Sequence, residues 1–212
     1  MSTTRTNRSM LLAPASAPQV RRRGAVAHVL SPLICLFMMA FGGAAVAPAQ
    51  GSAPTEYQIK AAFLYNFAKF IDWPPGSFPA PQSPFEICIL GADPFGSAID
   101  DTLRGKSIGD RTVVIERVKE PWRARQCQIV FVSSSEKQRL PEIIASLQGA
   151  KTLVVGETDR FADLGGTIQL TLEENHVRFA INTSAADGAG LRISSKLLAL
   201  AKIVHATESG RN

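Results

Sequence analysis

The stretch CQIVFV at residues 127–132 consists almost entirely of apolar side chains. A strand with one face in water alternates polar and apolar residues, whereas a run without alternation is typical of a strand covered on both faces. Such strands occur mainly in parallel sheets that have helices on each side. The stretch therefore predicts a strand of an α/β domain that is covered on both faces.

The segments on either side of this strand alternate between strand and helix patterns. Strands that alternate with helices predict one α/β domain with a mixed, mainly parallel sheet, helices on both faces, and a C-terminal hairpin plus helix. The predicted elements are strands at 85–90, 112–118, 127–132, 152–155, 167–172 and 177–181, and helices at 55–73, 93–103, 136–147 and 195–205.

The first helix is predicted from Thr55, which can cap it, to Trp73, which precedes two prolines. Phe63, Phe67 and Phe70 recur on it at helical spacing, and a second apolar stripe runs beside them. A helix with so little polar surface is either buried between core layers or partly covered by a partner. Burial in the core is the favoured interpretation.

Residues 1–49 have the layout of a secretory signal. Five arginines and no acidic residue precede an apolar stretch, which ends in small residues and in the cleavage-like sequence Ala47-Pro48-Ala49. We therefore predict cleavage near Ala49 and Gln50, a mature domain at 50–212, and a periplasmic location. An uncleaved membrane anchor is the alternative, because the apolar stretch has nearly the length that a bilayer span requires.

The excess of positive charge belongs to this leader. The chain has 23 Lys and Arg against 18 Asp and Glu, so removal of the five leader arginines leaves 18 residues of each sign. Proteins that bind nucleic acid carry dense basic patches on the folded domain. The balanced charge of the mature domain therefore argues against a nucleic-acid partner.

Two cysteines, Cys88 and Cys127, remain after the leader. An even number of cysteines in an oxidising compartment favours a disulfide, and we predict a bridge between them. The alternative is that both stay free and serve as small apolar residues on strands.

No catalytic or metal-binding motif is recognisable. The mature domain has only His176 and His205, and neither lies in a cluster with metal-ligand spacing. Nucleophile-elbow, Walker and Cys-x-x-Cys motifs are absent from the sequence. We therefore expect no enzymatic activity, no metal ion and no cofactor.

A set of polar residues near the C-terminus is a candidate anion site. Cations at a helix start are unfavourable to the helix dipole, and a bound anion would explain them. Ordinary helix capping with the charges in water is the alternative, and it is favoured. The candidate residues are Arg178, Asn182, Arg192, Ser194, Ser195 and Lys196.

Five stretches of the sequence together resemble the YfiR/HmsC family of periplasmic proteins, in the family's order and from Tyr57 to Val204. The resemblance implies an exported α/β protein without catalytic activity, in which Cys88 and Cys127 match the family's more widely spaced cysteine pair. The closely spaced second pair of some members is absent. The stretches are YQIKAAFLYNFAKFIDWP (57–74), GADPFG (91–96), CQIVFVSSSE (127–136), FADLGGTIQLTLEENHVRFAIN (161–182) and AGLRISSKLLALAKIV (189–204).

Characterised members of that family restrain an inner-membrane diguanylate cyclase by binding its periplasmic region, and an outer-membrane lipoprotein relieves the restraint. The resemblance therefore implies a negative regulator of cyclic-di-GMP signalling and biofilm formation, with Phe63, Phe67 and Phe70 as candidate contact residues. A small-ligand sensor that works with a membrane histidine kinase, through the candidate anion site, is the alternative. A homodimer is compatible with either function.

Overall fold

The computed structural model describes residues 54–204. The predicted leader, its cleavage site and His205 lie outside the described residues. Within residues 54–204, no helix has the length and apolar character needed to cross a membrane.

Helix α1 starts where the sequence predicts. The Thr55 hydroxyl accepts a hydrogen bond from the Gln58 backbone N–H, and the Gln58 side chain accepts one from the Thr55 N–H. This reciprocal pairing satisfies two donors at the start of the helix. The helices are α1 (Glu56–Lys69), α2 (Ser97–Leu103), α3 (Pro121–Ala124), α4 (Leu140–Leu147), α5 (Thr183–Gly188) and α6 (Ser195–Leu198), and a 3₁₀ helix at Ser134–Arg139 precedes α4.

The strands form one eight-stranded sheet and one small ribbon. The strands are β1 (Ile71–Asp72), β2 (Phe85–Leu90), β3 (Ser107–Ile108), β4 (Arg111–Val118), β5 (Ile129–Val132), β6 (Leu153–Gly156), β7 (Ile168–Glu173), β8 (His176–Asn182), β9 (Arg192–Ile193) and β10 (Lys202–Val204). In the large sheet the order is β10-β8-β7-β6-β5-β2-β4-β3, and the neighbours are parallel except in the pairs β7–β8 and β3–β4. The predicted mixed, mainly parallel sheet is therefore confirmed.

Both faces of the central strands are buried. Along β5, Ile129 and Phe131 belong to a core shared with α1 and α2, whereas Val130 and Val132 belong to a second core shared with α3 and α4. Strands covered on both faces have no need of polar alternation. This burial explains the uninterrupted apolar sequence of β5.

The last predicted helix is wrong beyond Leu198. Helix α6 ends there, and Lys202–Val204 forms strand β10, which pairs in parallel with Ala180–Asn182 of β8. The β-branched Ile203 and Val204 suit a strand, and pairing with β8 outweighs the local helical periodicity. The first helix is also shorter than predicted, because Ile71 and Asp72 pair with β9.

The predicted bridge between Cys88 and Cys127 is present in the structure, with Cα atoms 5.9 Å apart. Cys88 lies in β2 and Cys127 lies just before β5, and these two strands are hydrogen-bonded neighbours at the centre of the sheet. The bridge therefore joins two strands whose cysteines are 39 residues apart in the chain.

Replacing both cysteines by alanine should lower the free energy of unfolding by about 4 kcal/mol, because a closed loop of this length restricts the unfolded chain. Urea unfolding of the oxidised protein and of the variant measures the difference. Reduced protein should unfold like the variant. Equal midpoints for oxidised protein and variant would contradict the prediction.

Candidate functional site

A concavity lies across the open edge of β8, and we call it the β8 cavity. Strand β10 pairs with β8 only from Ala180 onward, so no strand within residues 54–204 flanks the outer side of residues 176–179. The cavity has a volume of about 810 Å³. Its walls are formed by Phe63, Asp159, Arg160, Asp163, Gln169, Thr171, Glu173, Val177, Arg178, Phe179, Ala180, Leu200, Lys202, Ile203 and Val204.

The apolar part of the β8 cavity is lined by side chains from helix α1, from strand β8 and from residues 200–203. Phe63 of α1 packs against Phe179 of β8, with ring centroids 5.6 Å apart. Leu200 and Ile203 also line the cavity, and 76% and 40% of their surfaces are exposed. Exposed apolar side chains gathered at a concave surface are typical of an interaction site.

The three candidate contact residues of α1 have different environments. Phe67 is completely buried, so it belongs to the core and not to a contact surface. Phe63 is half-buried and lines the β8 cavity. Phe70 is 38% exposed but does not line that cavity. Helical spacing placed the three rings on one stripe, whereas only the packing of α1 decides which of them is exposed.

The residues that line the β8 cavity carry both signs of charge. Three acidic residues and three basic ones line it. Neither Arg178 nor Lys202 forms an ion pair with another residue of the range 54–204. Both cations are therefore available to a negatively charged group.

The candidate anion site is not assembled at one place. Asn182 is fully buried, where its Oδ1 accepts from the Ala185 N–H at 2.9 Å and its Nδ2 donates to the Ala162 carbonyl at 2.8 Å. Ser194 caps α6. Arg178 lines the β8 cavity, whereas Arg192 lines a separate cavity of about 270 Å³.

Ser195 and Lys196 are exposed at the start of α6, which has only four residues. Of the six candidates, only Arg178 lies in the β8 cavity. Sequence reasoning missed Leu200 and Ile203, because both were assigned to the interior of a longer helix.

A buried group of charges fixes α1 to the carboxyl end of β6. Lys60 donates to Glu157 Oε2 at 2.6 Å and also pairs with Glu56, and the Tyr57 hydroxyl donates to Glu157 Oε1 at 3.2 Å. Burial opposes the charge on Lys60, but its hydrogen bonds to Glu157 and Glu56 raise its pKa above the ordinary value. Burial and the charge of Glu157 also raise the pKa of Tyr57.

The family model described as YfiR/HmsC-like (DUF4154) matches residues 57–202 of the chain. The chain belongs to the YfiR/HmsC-like family. Membership supports a regulatory role in cyclic-di-GMP signalling in general, and such regulatory proteins are generally not enzymes. No protein with a curated description matches the sequence.

Three solved structures show limited similarity to this YfiR/HmsC-like protein. A conserved domain protein from Vibrio cholerae has 13% identity and a TM-score of 0.47, with 70% of this chain and 60% of that chain covered. The ABC domain in complex with L-Trp from Streptococcus pneumoniae has 12% identity and a TM-score of 0.41, with coverages of 56% and 55%.

The third is the ligand-free, open structure of a substrate-binding protein with adhesive properties from Clostridium difficile. It has 10% identity and a TM-score of 0.42, and 69% of this chain and 58% of that chain are covered. The YfiR/HmsC-like chain therefore spans less than two thirds of the length of each of these structures.

Substitution of Glu157 by alanine should lower the free energy of unfolding by about 3 kcal/mol, because it leaves a buried lysine with a single acidic partner. Arg104→Ala is the matched control, because the Arg104–Asp101 ion pair is exposed and should contribute less than about 1 kcal/mol. Chemical denaturation measures both. A Glu157 variant as stable as the control would show that this group of charges does not hold α1.

The stability of the protein should fall as the pH rises above about 10, the ordinary pKa of tyrosine. The raised pKa values of Tyr57 and Lys60 mean that the folded state retains protons that the unfolded state has already lost. Thermal unfolding from about pH 9 to about pH 12, a range that brackets the ordinary pKa values of tyrosine and lysine, tests this. The fall in melting temperature should be smaller in Tyr57→Phe. A pH profile identical to that of the wild type would show that Tyr57 does not contribute to the loss of stability.

Proposed function

We propose that this YfiR/HmsC-like protein is exported to the periplasm, binds the periplasmic region of an inner-membrane diguanylate cyclase, and holds the enzyme inactive. The observation that supports the proposal most directly is the meeting of Phe63, Leu200 and Ile203 at the β8 cavity. Exposed apolar side chains near charged ones at a concave surface are typical of a protein interface.

Restraint of an enzyme requires that the regulator binds two states of it unequally. A regulator with the same affinity for the active and the inactive cyclase does not change the equilibrium between these two states, however tightly it binds. The lining of the β8 cavity combines apolar side chains with charges of both signs, so it can distinguish two arrangements of a facing surface by charge as well as by shape. An outer-membrane lipoprotein that binds at or near this surface would relieve the restraint.

Leu200→Asp should weaken binding to the cyclase by about tenfold or more, because it places a charge where an apolar side chain is buried on association. The partner is identified first as the cyclase whose deletion abolishes the rise in cyclic-di-GMP caused by loss of this protein. Its purified periplasmic domain is then titrated with wild-type and variant protein by calorimetry.

Leu164→Asp is the matched control for this titration, because Leu164 is 45% exposed and does not line the β8 cavity. It should bind as the wild type does. Wild-type affinity in a correctly folded Leu200→Asp variant, or the same loss in Leu164→Asp, would place the interface elsewhere.

A second candidate function is that of a small-ligand sensor working with a membrane histidine kinase. The volume of the β8 cavity, about 810 Å³, is within the usual size of ligand pockets, and Arg178 and Lys202 line it with positive charge. An anionic aromatic metabolite would suit this chemistry.

A ligand that binds only the folded state raises the melting temperature, so a thermal-shift screen of nucleotides, amino acids and aromatic acids tests this second function. A ligand of the β8 cavity should lose its effect in Arg178→Gln and keep it in Arg192→Gln. No shift with any compound at millimolar concentration, or a shift unchanged in Arg178→Gln, would reject this function.

A further inference from the structure

The outer edge of strand β4 is open along most of its length. Strand β3 pairs only with Arg111 and Thr112, at the beginning of β4. The Val118 carbonyl accepts from the Gly91 N–H on the side of β2, whereas the Val113 N–H donates away from β2 to the Lys106 carbonyl. Because backbone groups alternate in direction along a strand, those of Ile115 and Arg117 also point outward. No strand of residues 54–204 pairs with them.

The side chains around this edge are held in place. Arg117 donates to Asp93 Oδ2 at 2.8 Å and to Asp100 Oδ2 at 2.5 Å, so its guanidinium is directed toward the α2 side of the sheet. Ile115 packs against the core on that same side. The outward backbone groups of Ile115 and Arg117 therefore belong to an ordered strand edge, with which a further strand can form hydrogen bonds.

The opposite face of this edge carries unbalanced negative charge beside an exposed aromatic ring. Glu86, Glu116 and Trp122 line one cavity of about 300 Å³, and 62% of the Trp122 surface is exposed. Burial and the charge of Glu116 raise the pKa of Glu86. Arg123 also lines this cavity, but within residues 54–204 it forms no ion pair with either carboxylate. A cation entering the cavity would be attracted by both carboxylates.

We propose that the outer edge of β4 binds an extended segment of a partner protein as an added strand, with Lys or Arg opposite Glu116. Opposite charges on directly facing residues of neighbouring strands attract each other. Val114 and Val118 lie two residues to either side of Glu116 on the same face, so apolar β-branched residues flank the basic one in the bound segment. The exposed ring of Trp122 lines the same cavity as Glu116, so it can pack against a side chain at the end of that segment.

A second copy of this chain is not the occupant that the charges favour. Two β4 edges paired through Glu116 would bring like charges face to face, which is destabilising. The edge also lies at the opposite end of the sheet from β10 and the β8 cavity. The inference is therefore independent of the proposed binding of a cyclase at that cavity.

Two synthetic peptides test this site on the intact protein. One is acetyl-Thr-Val-Thr-Arg-Thr-Val-Thr-amide, and the other has Glu in place of Arg. The Arg peptide should shift the backbone amide resonances of Ile115 and Arg117 and slow their hydrogen exchange, and it should bind about fivefold or more tightly than the Glu peptide. Glu116→Lys should reverse that preference, whereas Glu142→Lys, at an exposed residue of α4, should leave it unchanged.

Ile115→Pro tests the backbone part of the proposal. Proline removes an N–H that points away from β2, so it is tolerated on a strand edge but blocks addition of another strand. Binding should be lost in this variant, and its far-UV circular dichroism should match the wild type. Equal binding of both peptides, resonance shifts confined to residues outside β4, or an unchanged preference in Glu116→Lys would overturn the proposal whether or not Ile115→Pro folds.

Discussion

The ion pair between Lys60 and Glu157 constrains where helix α1 lies, together with the apolar packing of Leu64 and Phe67, and much of the molecule depends on that placement. The pair joins the first turns of α1 to the end of β6. Buried ion pairs add little net stability compared with apolar packing, but a charge without its partner is strongly unfavourable. The pair therefore favours one orientation of α1. In that orientation Phe67 fills the core and Phe63 reaches the β8 cavity.

Coverage of both faces of the central sheet leaves its two ends as the places for recognition. The core residues of β5 face α1 and α2 on one side and α3 and α4 on the other, so none is free for a partner. At one end, β10 covers only part of β8, and at the other, β3 covers only the beginning of β4. Exposed edges invite pairing, and proteins protect them with charges and short strands. Here the exposed side chains of Leu200 and Ile203 lie beside one incomplete edge, and that of Trp122 lies beside the other.

The sequence predicted the centre of this fold better than its ends. The strands at 85–90 and 127–132 are apolar except for Glu86 and Gln128 because they are buried on both faces, and such runs are visible in a sequence. Lys202–Val204 was assigned to a helix because α6 and β10 lie within one stretch of helical periodicity, and only pairing with β8 separates them. The candidate anion site failed as a unit for a similar reason, since Asn182 and Arg192 are close in sequence but lie in different environments.

The position of the disulfide separates the stability of this protein from the β8 cavity, which neither Cys88 nor Cys127 lines. Cys88 and Cys127 belong to the core on the side of α3 and α4, whereas the rings at the β8 cavity belong to the core on the side of α1. The bridge acts chiefly on the unfolded chain by closing a loop. Its loss should therefore lower the fraction of folded molecules and leave the packing of Phe63 against Phe179 as it is. Reduction would weaken regulation through the amount of folded protein, with the affinity of each folded molecule preserved.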